Sequence, residues 1–206
     1  MKFLIVDDHP LIFRALATEL GSANEYLLAT SLRESLDLVD RHRDLDLIIF
    51  DPGLPDSQAM EGLMRLRAAA PNIPLLVLSG RTEPREIQSA LELGAAGFAP
   101  KTTGPTVLKR AIELIMAGGV YVPPELAGLK KVKQRASTTK NNVATDMTPR
   151  EKEIVPLLAL GYSNKTIASE LSISEYTVRT HVARILKKLN VFNRTQAVSK
   201  LLFGKK

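Results

Sequence analysis

Short apolar runs recur along the first 120 positions, near residues 2–6, 26–30, 45–50, 73–79 and 96–99. Each is bounded by polar residues and none alternates in the manner of a strand with one wet face, so they read as buried strands of a parallel sheet. Amphipathic stretches with helical spacing lie between or after them, near 10–21, 32–42, 57–69, 83–93 and 104–118. Five alternations of this kind predict an α/β doubly wound, five-stranded parallel sheet with helices on both faces. The Gly118-Gly119 pair ends the last of these helices.

The pattern then changes. From Pro123-Pro124 to about Thr145 no period is sustained and Lys, Ser, Thr and Asn dominate, which marks a linker. Thr148-Pro149-Arg150-Glu151 opens a new helix with a capping box, a threonine cap with glutamate three residues on and proline at the first helical position. That helix is expected to reach about Leu160 and stop at Gly161, with Pro156 kinking it. Further helices are predicted over Asn164 to Leu171, Glu175 to Leu189 and Arg194 to Phe203. The organisation is therefore a sheet domain over 1–120, a flexible basic linker over 121–145 and a small all-α, four-helix domain over 146–206.

Charge sharpens the division. Residues 1–120 hold 12 Lys and Arg against 16 Asp and Glu, a net of −4, whereas residues 121–206 hold 16 against 6, a net of +10. A basic half of this kind suits a polyanion. The chain has no cysteine, which excludes disulfides and thiolate metal sites. Phe3 to Val6 is too short for a signal core or a membrane span, so a cytoplasmic protein without a membrane partner is expected.

Chemistry gathers at the predicted strand ends. KFLIV ends at Asp7 and Asp8, LDLIIF ends at Asp51, and GFAP is followed by Lys101. Open α/β sheets bind ligands at the carboxyl ends of their strands. Three carboxylates there repel one another unless a hard cation sits among them, and Mg2+ takes oxygen ligands.

VDDHP at 6–10, DPGLPD at 51–56, Ser79, Phe98 and Lys101 together resemble the receiver domain of bacterial two-component response regulators, over residues 1 to about 120. The resemblance implies that Asp51 accepts a phosphoryl group from a phosphohistidine on a sensor histidine kinase. It implies Mg2+ on Asp8, Asp51 and the backbone carbonyl of Gly53, with Asp7 acting through water. Lys101 would pair with a phosphoryl oxygen and Ser79 would donate to another. Ser79 and Phe98 would form a switch pair, Phe98 turning inward as Ser79 moves toward the phosphoryl group. Pro52, Ala59 and Pro100 depart from the usual pattern, and none removes a reacting group.

Residues 147–203 resemble the four-helix helix-turn-helix domain of the LuxR, NarL and FixJ class, carried by MTPREKEIVPLLALGYSNKTIASELSISEYTVRTHVARILKKLNVFNRTQAV. Its recognition helix would lie around Ser174 to Leu189, in the major groove. Val178, Val182, Ile185 and Leu189 form an apolar stripe at helical spacing, which reads as core. Arg179, Thr180, Ala183, Arg184 and Lys187 lie on the opposite face. Arg179 suits a guanine edge, Thr180 a base edge or thymine methyl, and Ala183 permits close approach. Lys165, Thr177, Lys187, Lys188 and Arg194 are candidates for phosphate contacts, and His181 is a packing or capping residue.

The expected protein is a DNA-binding transcriptional response regulator, not an enzyme beyond its own phosphoryl transfer and dephosphorylation, and a homodimer on paired half-sites of double-stranded DNA. Two rivals stand beside it. An aspartate-nucleophile phosphatase would have a second aspartate two residues after Asp51, where Gly53 stands, and a docking module would use a receiver-like surface without phosphate.

Overall fold

A computed structural model of the chain describes residues 1–123, 147–191 and 193–203. Five parallel strands, β1 (Lys2–Val6), β2 (Glu25–Ala29), β3 (Leu47–Phe50), β4 (Leu75–Ser79) and β5 (Gly97–Pro100), stand in the order β2-β1-β3-β4-β5. The helices α1 (Pro10–Leu20), α2 (Leu32–Arg41), α3 (Ala59–Ala69), α4 (Pro84–Glu92) and α5 (Pro105–Met116) alternate with them. Every residue of β3 and β4 is buried, which is why those runs show no alternation: both faces are covered. Alternate residues supply two cores. Leu4, Val6, Ile48, Phe50 and Val77 face one, and Phe3, Ile5, Leu47, Ile49, Leu76 and Leu78 face the other.

The expected fold is observed, with element ends within about two residues of the sequence reading. The expected linker begins differently. Tyr121 forms a bridge with Gly97 at the β5 edge, and Phe98 N–H donates to the Tyr121 carbonyl at 3.0 Å. The chain therefore remains attached to the sheet to that point. From residue 124 the expected linker lies outside the described residues.

Among the described residues the second unit has four helices, α6 (Pro149–Ala159), α7 (Asn164–Glu170), α8 (Glu175–Leu189) and α9 (Arg194–Phe203). Thr148 caps α6 in the predicted reciprocal box, and Pro156 lies inside that helix. Ser163 and Ser174 cap α7 and α8 by accepting N–H bonds from Thr166 and Thr177. Ile154, Leu158, Ile167, Val178, Val182, Ile185 and Leu189 form its core.

The helical unit docks on the sheet unit through α9 and α4. Val198 is fully buried in the core cluster that contains Ile87, Ala90 and Leu91 of α4, and Leu202 and Phe203 pack against that cluster. Gln196 Nε2 donates to the Glu92 carbonyl at 3.3 Å. Val120 N–H donates to the Gly161 carbonyl at 2.8 Å. Gly161 has φ +77°, and a Cβ there would stand 1.9 Å from the Val120 carbonyl oxygen. Gly161→Ala is expected to undock the two units, because the methyl group overlaps backbone that cannot yield and the left-handed conformation adds roughly 1 kcal/mol of strain. Small-angle scattering is expected to show a larger radius of gyration with helix content retained; wild-type dimensions would deny the contact.

Candidate phosphoacceptor pocket and nucleic-acid interface

β1 has β2 on one side and β3 on the other, so the chain reverses direction across the sheet at the β1/β3 boundary. The carboxyl ends of these strands open a cleft there, as open α/β sheets do. It has a volume of about 820 Å³ and is lined by Asp8, Asp51, Gly53, Ser79, Phe98 and Lys101, among others. Asp51 follows β3 and is 4% exposed; Asp7, after β1, is 2% exposed. Asp51 is held by its own N–H, which donates to the Val6 carbonyl at 2.8 Å, and by Gly53 N–H, which donates to Asp51 Oδ1 at 2.9 Å. A Cβ on Gly53 would approach Asp51 Oδ1 to 3.2 Å, so glycine lets the loop close over the carboxylate.

Lys101, just past β5, reaches back into the acidic group. Its Nζ is 2.6 Å from Asp51 Oδ2 and 2.9 Å from Asp7 Oδ2. The second contact is an ion pair without hydrogen-bond alignment, which leaves Asp7 Oδ2 buried and otherwise unsatisfied. Burial works against the ammonium charge, and the Asp51 and Asp7 carboxylates outweigh it, so Lys101 titrates above the ordinary lysine value. The Lys101 N–H donates to the Ser79 carbonyl at 2.7 Å. Pro100 closes β5 at the sheet edge and leaves that ladder intact.

Ser79 is 4% exposed and its Oγ accepts from Arg81 N–H at 3.1 Å. Phe98 is fully buried and belongs to the same core as Ile87 and Leu91; it already occupies an inward position. Ligand atoms of Asp7, Asp8, His9 and Asp51 all lie within 4.8 Å of one another. This oxygen-rich set, with one buried carboxylate oxygen lacking a hydrogen bond, fits a hard divalent cation.

In the helical unit, Val178, Val182, Ile185 and Leu189 turn into the core as the stripe predicted. Arg179, Ala183, Arg184 and Lys187 stand exposed on the other face of α8, and Lys165 is exposed on α7. Thr180 Oγ1 donates back to the Tyr176 carbonyl at 3.1 Å, and Thr177 Oγ1 lies 2.7 Å from Ser174 Oγ at the helix cap. Docking of α9 on α4 leaves this basic face in solvent.

Residues 3–113 match the family described as "Response regulator receiver domain", and residues 145–201 match "Bacterial regulatory proteins, luxR family". The chain is 35% identical to the glycerol metabolism activator of Pseudomonas putida, across 96% of this chain and 93% of that protein. The chain belongs to the LuxR-type two-component response regulators. It is a phosphorylation-activated, DNA-binding transcriptional regulator.

Solved structures agree with that placement. A LuxR family DNA-binding response regulator from Silicibacter pomeroyi is 34% identical, with a TM-score of 0.54 over 61% of this chain and 98% of that one. RcsB from Salmonella enterica serovar Typhimurium, bound to promoter rprA in the presence of phosphomimetic BeF3-, shares the fold at 20% identity, with a TM-score of 0.54 over 99% of this chain and 98% of that one.

Two residues expected to contact phosphates make contacts inside the helical domain of the regulator. Lys188 Nζ lies 2.7 Å from Glu151 Oε2, and Glu151 is 1% exposed. Arg194 donates to Asn164 Oδ1 at 2.8 Å and to the Tyr162 carbonyl. These bonds make it a strut between α7 and α9, and burial pushes its guanidinium down to about 10. His181 is half-buried, with Nδ1 enclosed and unpartnered, in line with a packing role.

Two residues with no role assigned from sequence stand at the sites. Tyr176 is 77% exposed on α8, beside the basic face. His9 caps the acidic pocket, with Nδ1 2.7 Å from Asp8 Oδ1 and 3.0 Å from Asp7 Oδ1. Its signal was its place directly after the paired aspartates in VDDHP.

Proposed function

We propose that Asp51 is the phosphoacceptor. A carboxylate oxygen of Asp51 attacks the phosphorus of a phosphohistidine on a sensor kinase, the new O–P bond forms as the P–N bond breaks, and the imidazole leaves with the bonding pair and takes up a proton. Asp8, Asp51 and the Gly53 carbonyl would hold Mg2+, with Asp7 acting through water, and the ion supplies positive charge opposite the phosphoryl oxygens. Lys101 leaves its pairing with the carboxylates to bind a phosphoryl oxygen as a point charge. Ser79 donates its hydroxyl to another, and Phe98 serves as its switch partner.

The observation that carries the reading is the convergence of Asp51, Asp7 and Lys101 within 2.9 Å contacts at the reversal point of the sheet. The receiver's chemistry is confined to gaining and losing this one group, and the regulator acts in the cytoplasm as a homodimer on paired half-sites. The test is incubation of the full chain with Mg2+ and a small phosphodonor. A stable, stoichiometric acyl phosphate with tighter promoter binding supports the reading, whereas repeated turnover of the donor identifies a phosphatase and no label a docking module.

On the DNA face, Arg179 is the base reader and Lys165, Lys187 and Arg184 contact phosphates. Arg179 pairs only loosely with Glu175, at 3.6 Å, and is available to a guanine edge. Arg179→Ala is expected to relax preference at one position of each half-site by roughly 1 to 3 kcal/mol. Unchanged preference in a binding-site selection removes Arg179 from that role.

A further inference from the structure

The acidic pocket contains one donor that Mg2+ does not seek. Asp7, Asp8 and His9 are consecutive, and the turn after β1 brings all three to the same place where a continuing strand would send neighbours to opposite faces. His9 N–H donates to Asp7 Oδ1 at 2.8 Å, which fixes the backbone and directs the ring over the carboxylates. Its Nδ1 faces Asp8 Oδ1 at 2.7 Å and Asp7 Oδ1 at 3.0 Å. A cation already sits against this group: Lys101 Nζ lies 2.6 Å from Asp51 Oδ2, 2.9 Å from Asp7 Oδ2 and 3.4 Å from His9 Nδ1. The ammonium group marks a point on which two carboxylates, Asp51 and Asp7, and an imidazole converge.

We propose that His9 is a fourth side-chain ligand, through which the phosphoacceptor pocket takes a nitrogen-preferring first-row cation such as Zn2+ in competition with Mg2+. This rests on the reading of the acidic pocket as a metal site. Opposed ligands on a cation with bonds of about 2.1 Å stand about 4.2 Å apart; the four donors here lie within 4.8 Å of one another, so small side-chain movements bring all to bonding distance. Three carboxylates alone do not favour a nitrogen-preferring ion by ligand type. An added imidazole does, because it suits Zn2+, Cu2+ and Ni2+ while Mg2+ retains oxygens and water. The His9 side chain is 65% exposed, so the ring is free to turn onto an ion arriving from solvent. With His9 bound, Asp51 is a ligand to an ion that holds it more tightly than Mg2+ does, and its oxygens are less free to attack phosphorus.

The experiment is titration of the full chain with Zn2+ and, separately, Mg2+, in phosphate-free buffer, followed by 15N resonances of its three histidines and by dissociation constants. In the wild type, Zn2+ is expected to shift the Nδ1 resonance that is absent from His9→Gln, and Mg2+ is expected to leave it in place. His9→Gln is expected to weaken Zn2+ binding by about tenfold or more, the least cost of losing even a residue that only supports a ligand, with Mg2+ binding unchanged. An unmoved Nδ1 in the wild type overturns the proposal regardless of how the variant folds. Equal losses for both ions also overturn it, since His9 then only shapes the loop. Failure of Mg2+ itself to bind the wild type would instead remove the metal-site reading on which it rests.

Discussion

Asp51→Asn is expected to bring labelling by a small phosphodonor to background while leaving the fold in place. The amide is nearly the same size as the carboxylate, which matters at a site only 4% exposed, and its oxygen can still accept the Gly53 N–H that now binds Asp51 Oδ1 at 2.9 Å. It has no anionic oxygen to attack phosphorus. Two further losses follow from the same change. Lys101 gives up its shorter ion pair, at 2.6 Å, and the metal site gives up one of its negative charges, so Mg2+ binding weakens as well. Mass spectrometry of the labelled chain checks the result. Label persisting on Asp7 or Asp8 would reassign the acceptor; label unchanged on residue 51 is impossible for an amide, so label elsewhere is the informative failure. Promoter binding of the variant is expected to ignore the donor.

Much of this pocket was legible because local pattern and topology coincide. Apolar runs locate the strands, the residue after each run lands at the carboxyl edge, and the α/β alternation brings Asp7, Asp51, Ser79 and Lys101 to one end of the sheet. The Val178, Val182, Ile185 and Leu189 stripe was legible for the same reason, since helical spacing alone separates the core face of α8 from Arg179, Ala183, Arg184 and Lys187. What escaped was pairing between residues far apart in sequence. Nothing in the period of α8 tells that Lys188 reaches back to Glu151, or that Arg194 joins Asn164 and Tyr162. Both cations looked like phosphate contacts because a lone basic residue on a basic domain carries no sign of its partner. The docking of α9 on α4 was equally hidden: Val198 reads as domain core in either arrangement, and only the fold shows that it joins the core cluster that holds Ile87 and Leu91.

Docking also bears on how a signal could travel. α4 starts beyond Ser79, near the pocket, and its last residue, Glu92, accepts from Gln196 of α9. The same helix therefore borders the chemistry at one end and the DNA-binding domain at the other. The basic face of α8 stays exposed meanwhile, so the contact constrains the position of that domain without covering its nucleic-acid surface.

Glu151→Ala is expected to cost the helical domain about 2 to 3 kcal/mol, because one buried carboxylate serves two structures there. Its Oε2 accepts from Thr148 N–H at 2.8 Å, completing the α6 capping box, and pairs with Lys188 Nζ at 2.7 Å. Removing it takes from the Lys188 ammonium, 25% exposed, its 2.7 Å ion pair. That partial exposure sets the figure below the full penalty for a stranded buried charge. Glu151→Gln is expected to cost less, since the amide oxygen can still accept from Thr148. Urea unfolding of the full chain, followed through the transition of the helical domain, measures both. The pH dependence supplies an independent check. Burial pushes the Glu151 carboxyl up, and Lys188 with the Thr148 donors outweighs it, so the folded value lies below the usual 4.5. Its stabilisation is therefore complete above about pH 4.5, the value in the unfolded chain, and is lost as pH falls through the lower folded value. The alanine variant is expected to lack that portion of the acid sensitivity, its unfolding free energy changing less than the wild type's across this window. Parallel curves would mean that Glu151 is not held ionised by Lys188.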